Sequence, residues 1–416
     1  MRVKDLICSE SAKLLFANFA WLTILKFVSY TFPLITLPYL SRIIGAQGIG
    51  EIAFALSIIA FIETFVDYGF NYTATRDIAR NRENTTTVSH IFSNVLWAKL
   101  CLMGIALLIL IILITYVPSL KASSKIIFLT FLYIPGHIIF PDWFFQAMEK
   151  MKYITLLNVL SKVIFTALIF IVIKDKSDYV WQPLLVSTGY FISGVISMYY
   201  IVRKFNVRIL RPEIHEIISS IRQSTSLFIT LLAPNLYTNF SFILLSSACG
   251  GVATGIYDAA NKFVGIIQQL SQVLSRTFYP FLSRKIDKHI VYVYISSGFC
   301  ILSCIFLFFG AKFLISTFFT DEFSGAINAL KILAFSPIGL LLTDVFGTNY
   351  LVLRGAEKQY RNITIIFSII GFCLSWILTP LYSFIGAAIA ITLTRLIGGI
   401  MTYTYSKFIF NKISCN

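Results

Sequence analysis

The sequence predicts an all-α integral membrane protein with twelve transmembrane helices in two six-helix lobes, and three observations predict it. The chain of 416 residues is 57% hydrophobic and only 13% charged, with a mean hydropathy of +0.81. A soluble domain carries about 25% charged residues to keep a polar skin, so most of this surface must face something other than water. The apolar residues fall into long unbroken runs, as helices need in lipid, where backbone N–H and C=O groups find no outside partner. A β-barrel would show short alternating segments instead, and none occurs. The third observation is an internal repeat. Shifted by 205 residues, Leu40, Ser41, Gly45, Gly50 and Ala55 fall on Leu245, Ser246, Gly250, Gly255 and Ala260. Two hairpins that merely need glycine turns would give the same matches, but a duplication would pair two lobes across an axis along the membrane normal.

A span needs about 20 mainly apolar residues to cross a hydrocarbon core about 30 Å thick. Twelve segments qualify: 16–40, 48–70, 92–116, 126–147, 153–173, 180–202, 226–247, 253–275, 290–315, 326–350, 362–382 and 384–406. The expected division is a first lobe over 1–205, a linker over 206–225 and a second lobe over 226–416. With the N-terminus inside, 22 Lys and Arg residues fall on cytoplasmic connections, against Arg42, Lys121, Lys125, Lys174, Lys176 and Lys312 outside. The positive-inside rule therefore places both termini in the cytoplasm. The N-terminal residues MRVKDLICSESAK lack the short apolar core and cleavage site of a removable signal peptide.

The same pattern excludes several function classes. The longest polar connection, about 203–225, is too short for a soluble catalytic domain. No HExxH, GxxxxGK[ST] or GxSxG motif is present, and His90, His137, His215 and His289 show no ligand spacing. The seven cysteines form no CxxC pair; Cys300 and Cys304 share a helix face, where packing explains them better than a metal. Neither a metal nor a cofactor is expected. The net charge of +15 is scattered singly between apolar runs, which is no footprint for nucleic acid.

Ionisable groups inside spans carry the functional signal, because each costs about 2.5–3.5 kcal/mol to insert and so faces a cavity or a partner. Lys26, Lys162, Lys262 and Arg395 lie near mid-span, with Asp258 closer to the outer surface. Lys99, Lys331, Asp67, Asp142 and Asp344 sit nearer span ends, where the lysines can snorkel to the interface. Asp258 and Lys262 are four apart and share a face, as a neutralised pair or as one that opens when an anion or a proton arrives. Asn235 and Asn239, beside Pro234, serve equally well to satisfy the carbonyl that proline frees or to touch a substrate. An excess of central cations suits a visiting phosphate or pyrophosphate. Arg76, Arg80 and Arg82, within FVDYGFNYTATRDIARNREN (65–84), follow span two on the cytoplasmic side as a short surface helix and anchor.

LPYLSRIIGAQGIGEIAFALSIIAFIETFVDYGFNYTATRDIARNREN (37–84) resembles the N-terminal signature of Wzx O-antigen flippases, in the polysaccharide-transporter branch of the MOP superfamily. GIYDAANKFVGIIQQLSQVLSRTFYPFLSR (255–284) is similar to the matching second-lobe signature. The resemblance implies two six-helix bundles in a V that work by alternating access. It implies a substrate of undecaprenyl pyrophosphate bearing one sugar repeat unit, moved to the periplasmic leaflet of the inner membrane through a cationic cavity. It also implies proton coupling in some members and a chain that acts as a monomer, with membrane lipids and other O-antigen assembly proteins as partners. Cavity roles carry over to Lys26, Lys162, Asp258, Lys262 and Arg395 on their burial and charge, with Asp258 as ion-pair or proton-coupling group. Apart from the resemblance, the cytoplasmic position of Arg76 makes it either an anchor or the first group in the path of an anionic lipid-linked sugar. The competing readings are a lipid II flippase, which should have further spans, and a multidrug exporter, which should carry acids where Lys26 stands. An O-antigen polymerase, an enzyme, would need a large periplasmic loop.

Overall fold

The computed structural model describes residues 10–284, 286 and 289–414, and among these every regular element is helical. Among the described residues, nine stretches are long and apolar enough to cross a membrane. Three of them are too long for one crossing: Thr31–Arg80, Ile214–Tyr279 and Glu357–Ile409. Each contains a break in backbone geometry. Helix α1 (Glu10–Asp67) breaks at Gly45, with φ 64° and ψ −171°. Helix α9 (Ile214–Arg284) breaks at Gly250, with φ 83° and ψ 175°. Helix α13 (Glu357–Ser414) breaks at Ser383, with φ 54°.

The first two breaks are the glycine pair of the 205-residue repeat, and they share one conformation. A positive φ with extended ψ is open to glycine and strained for other residues, so the sequence match has a conformational cause. The second pair, Gly50 and Gly255, meets in space. A Cβ on Gly50 would collide with the Gly251 carbonyl, and one on Gly255 with the Ala46 carbonyl. The helix that restarts at Ala46 is capped from outside, because the Ala46 N–H donates to Glu322 Oε2 at 3.1 Å.

Between these long helices lie α2 (Phe70–Arg80), α3 (Thr85–Tyr116), α4 (Ser124–Phe131), α5 (Tyr133–Ile139), α6 (Asp142–Ala147), α7 (Met151–Val172) and α8 (Gln182–Lys204). After α9 come α10 (His289–Phe318), α11 (Ala326–Leu333), α12 (Ser336–Leu342) and a π-helical turn, Thr343–Leu351. Two segments expected as single spans are fragmented. Residues 126–147 fall across α4, α5 and α6, and Pro141, which has no N–H, sits at the last of those breaks. Residues 326–350 divide into α11, α12 and the π turn, with Pro337 at the start of α12.

Two compact units form. One comprises Met1–Thr36 and Ile59–Ile229; the other comprises Leu37–Ile58 and Thr230–Asn416. In the first, the start of α2 packs on α9: Tyr68 stacks on Phe228 at 4.3 Å, and Thr73 Oγ1 lies 2.9 Å from Ser224 Oγ. In the second, Ser241 and Ser375 share a buried hydroxyl contact of 2.8 Å between α9 and α13.

Candidate functional site

Within the first unit, charged and polar side chains converge from four helices. Glu63 and Asp67, four apart on α1, present their carboxylates to one face, and α5 offers Tyr133 and His137 at the same spacing. Lys99 comes from α3 and Asn71 from the first turn of α2. The Lys99 ammonium donates to Asp67 Oδ1 at 2.8 Å and to Asn71 Oδ1 at 2.9 Å. Asn71 Nδ2 donates back to Asp67 Oδ2 at 2.9 Å. His137 Nε2 lies 3.1 Å from Asp67 Oδ1 and 3.8 Å from Glu63 Oε1, while the Tyr133 hydroxyl donates to Glu63 Oε1 at 3.3 Å.

Lys99 is 2% exposed, and its ammonium lies 5.9 Å over the Trp143 ring. It therefore points inward to Asp67 and does not snorkel, because a carboxylate and an amide oxygen are nearer than the interface. Glu63, Asp67 and His137 place three ligand atoms within 4.8 Å of one another. A metal there would compete with an ammonium already bonded to Asp67, so the chemistry of this set favours self-neutralisation. Two carboxylates against one lysine leave one negative charge, which protonation of His137 removes.

Within the second unit the arrangement differs. Arg395, on α13, is 6% exposed. Its Nη1 donates to Ser336 Oγ at 3.1 Å and its Nη2 to Gln268 Oε1 at 3.4 Å, while its Nε has no partner among the described residues. The small side of α12 makes this possible: a Cβ at Gly339 would strike the Arg395 carbonyl, so only glycine lets α12 bring Ser336 so near. Both hydrogen-bond partners of this guanidinium, Ser336 and Gln268, are neutral. Six residues before Gln268 on α9, Lys262 hydrogen-bonds Asp258, as their spacing predicts.

The other expected site residues are Lys162, Arg76 and Lys26. Lys162, half-buried on α7, has no hydrogen-bond or ion-pair partner among the described residues. Arg76 is exposed on α2, its Nε 2.9 Å from Asp77 Oδ1, and the surface helix expected around it is present. Nearby Arg82 pairs with Glu149 at 2.9 Å. Lys26 lies on α1, and its side chain is outside the described residues. The structure thus joins Asp258 with Lys262 and gives Arg395 a pocket of neutral partners. The cluster around Asp67 and His137 was not assembled by sequence reasoning; the i, i+4 pairs Glu63/Asp67 and Tyr133/His137 were its only local signal.

Residues 15–286 match the family described as polysaccharide biosynthesis protein. A relative in Escherichia coli (strain K12), named for O-antigen transport, is 28% identical over 386 residues, covering 91% of this chain and 93% of its own. One in Shigella dysenteriae, named likewise, is 27% identical over 387 residues, covering 91% and 97%. Among solved structures, the lipid II flippase MurJ in an inward closed conformation superposes with a TM-score of 0.72 at 14% identity, over 92% of this chain and 87% of that one. A multidrug resistance MATE transporter of the MOP superfamily, inward-facing, gives 0.64 at 14% identity, over 94% and 99%. The two solved structures share the fold, and the resemblance read in residues 37–84 and 255–284 agrees with both curated relatives. The chain belongs to the polysaccharide biosynthesis protein family.

Proposed function

We propose that the chain is a flippase that carries undecaprenyl-pyrophosphate-linked O-antigen repeat units from the cytoplasmic to the periplasmic leaflet of the bacterial inner membrane. Twelve spans, obtained by dividing the three long stretches at Gly45, Gly250 and Ser383, form two six-helix lobes over 1–205 and 226–416, joined by a cytoplasmic linker over 206–225. Both termini are cytoplasmic, and one copy suffices. The lobes alternate access while the prenyl tail stays in lipid, and no bond is made or broken. Arg76 meets the anionic head group first. Lys26, Lys162, Lys262 and Arg395 attract it inside, and Asp258 holds Lys262 until it arrives.

The observation that carries this reading is Arg395: a guanidinium 6% exposed, with neutral hydrogen-bond partners and an unpartnered Nε. Burying a charge without a counter-charge costs several kcal/mol, and an anion that visits would offset it. Guanidinium is also the group that best matches phosphate oxygens, through bidentate charge-assisted hydrogen bonds. In the alternative, the same fold moves lipid II. Deleting the gene separates the two, because undecaprenyl-linked repeat units accumulate on the cytoplasmic side under the first reading and lipid II under the second. The direct test is Arg395→Ala and Lys262→Ala in cells that display O-antigen. Display falls sharply while the protein stays at its normal level in membranes; full display from both variants sinks the cationic path.

A further inference from the structure

Along α3, Ser89, Ser93 and Trp97 fall four residues apart and line one face. That face grips the extended chain after α8. Ser89 Oγ accepts from the Arg208 N–H at 3.0 Å, and Ser93 Oγ donates to the Arg208 carbonyl at 3.2 Å. Ser93 Oγ also accepts from the Leu210 N–H at 2.9 Å, and Trp97 Nε1 donates to the Leu210 carbonyl at 3.0 Å. Further on, the Asn94 side chain donates to the Glu216 carboxylate at the start of α9. The connection is therefore a fastened strap whose backbone groups are satisfied by side chains of α3.

The fastened strap forms one wall of an open cavity of about 940 Å³, with the first turns of α3 and the end of α8. Its polar lining is Thr85, Thr86, Ser89, His90, Arg203, Asn206 and Arg208, and no acidic side chain lines it among the described residues. The end of α3 adds little, because Asn84 already caps it by accepting from the Thr87 N–H. The two guanidiniums are what the cavity offers. Apolar side chains are exposed along the same stretch of chain. Ile209 lines the cavity and is 48% exposed, and Ile214 and Ile218, one turn apart at the start of α9, are 76% and 59% exposed. These isoleucines flank a basic run, Arg203, Lys204, Arg208 and Arg211, at the end of a span. Exposed apolar side chains beside clustered cations suit the headgroup boundary of a negatively charged leaflet.

We propose that this cavity binds the phosphate headgroup of an anionic phospholipid from the cytoplasmic leaflet, with Arg203 and Arg208 on the phosphate and Ile209, Ile214 and Ile218 against the acyl chains. A soluble phosphate would use the arginines and leave the isoleucines without purpose, whereas an amphiphile uses both. Because the strap runs directly into α9, a bound lipid braces the segment that connects the two units in the chain. The inference needs only a chain that sits in a membrane, so it stands or falls independently of the cargo.

The test is native mass spectrometry of the full chain in mild detergent, titrated with dioleoyl phosphatidylglycerol or dioleoyl phosphatidylethanolamine. The wild type retains phosphatidylglycerol in preference. R203Q/R208Q loses that retention on the order of tenfold, R203K/R208K keeps part of it, and K358Q/K407Q, which removes the same charge elsewhere, keeps all of it. Equal retention in wild type and R203Q/R208Q, or an equal loss in K358Q/K407Q, overturns the site. Inorganic phosphate binding as tightly as phosphatidylglycerol, or undecaprenyl phosphate displacing it below equimolar amounts, assigns the cavity to another ligand and overturns the proposal. If R203Q/R208Q does not fold, I209S decides. It lowers phosphatidylglycerol retention and leaves inorganic phosphate binding unchanged, and unchanged lipid retention overturns the proposal.

Discussion

Among the described residues, each unit buries a lysine or arginine almost completely, Lys99 in one and Arg395 in the other, and the two do so in opposite ways. Lys99, 2% exposed, has Asp67 at 2.8 Å, with His137 and Glu63 in the same cluster. Arg395, 6% exposed, has a serine and a glutamine, each at hydrogen-bond distance. The first cation is balanced by the protein itself and so has a role in holding four helices together. The second is hydrated by neutral dipoles, which satisfy its N–H groups without cancelling its charge. Burial alone therefore does not mark a transport residue; burial without an internal counter-charge does.

The largest expected effect breaks the balanced side. Asp67→Asn leaves Lys99 and His137 facing a neutral amide, and stranding a buried charge costs about 3–5 kcal/mol. The thermal midpoint of the purified protein falls by many degrees, and the amount found in membranes falls with it. Combining Asp67→Leu with Lys99→Met recovers most of the loss, because an apolar pair of similar volume is often as stable as the ion pair it replaces. A double variant no more stable than Asp67→Asn would mean that Asn71, Tyr133 and His137, not the pair, carry the cluster.

Arg395→Met is the next step and has the opposite signature. It removes a charge that has no charged partner to strand, leaving only Ser336 and Gln268 each short of one hydrogen bond at about 1 kcal/mol apiece. Losing the desolvation cost offsets this, so the thermal midpoint stays close to wild type while O-antigen display is lost. A large fall in stability would show that Arg395 is a structural member like Lys99, and the contrast between the units would disappear.

How much of this was legible in the sequence depends on the distance over which each feature is encoded. The apolar runs, the pair Asp258 and Lys262, and the glycines at 45 and 250 are local, and the residues themselves state them. Lys99 was misread as a snorkelling lysine because its partners are 28 and 32 residues away, on helices whose rotation no run of apolar residues reveals. His137 is 70 residues from Asp67 and 74 from Glu63 and sits in a span that prolines fragment, so its helical face could not be phased from the spans on either side. Arg395 was singled out by its charge at mid-span, but the neutrality of its partners needed coordinates. The strap was hidden for another reason: a polar connection reads as solvated, and only Ser89, Ser93 and Trp97 on a different helix make it ordered.

Asp258→Asn sharpens the comparison at an intermediate point. The Lys262 side chain is 37% exposed, so water shares the work that Asp258 does, and losing the pair costs about 1 kcal/mol or less. The stability change is accordingly a small fraction of that from Asp67→Asn, and a comparable loss would place Lys262 with Lys99 as a structural cation.

Arg76→Gln is expected to have the smallest effect on stability. The Arg76 and Asp77 side chains are 53% and 33% exposed, and an exposed pair contributes about 0–1 kcal/mol. The helix around it is held by other residues, since Phe70, Thr73, Ala74 and Ile78 form its buried face. Thermal denaturation of Arg76→Gln therefore overlays wild type. O-antigen display is the informative reading. If Arg76 meets the head group first, display slows at limiting substrate and recovers when the lipid-linked repeat unit is overproduced, as expected when only capture is weakened. Arg395→Met shows no such recovery, because added substrate does not restore a charge missing from the path. Equal recovery in both would place the two arginines at the same step, and the assignment of Arg76 to capture would be wrong.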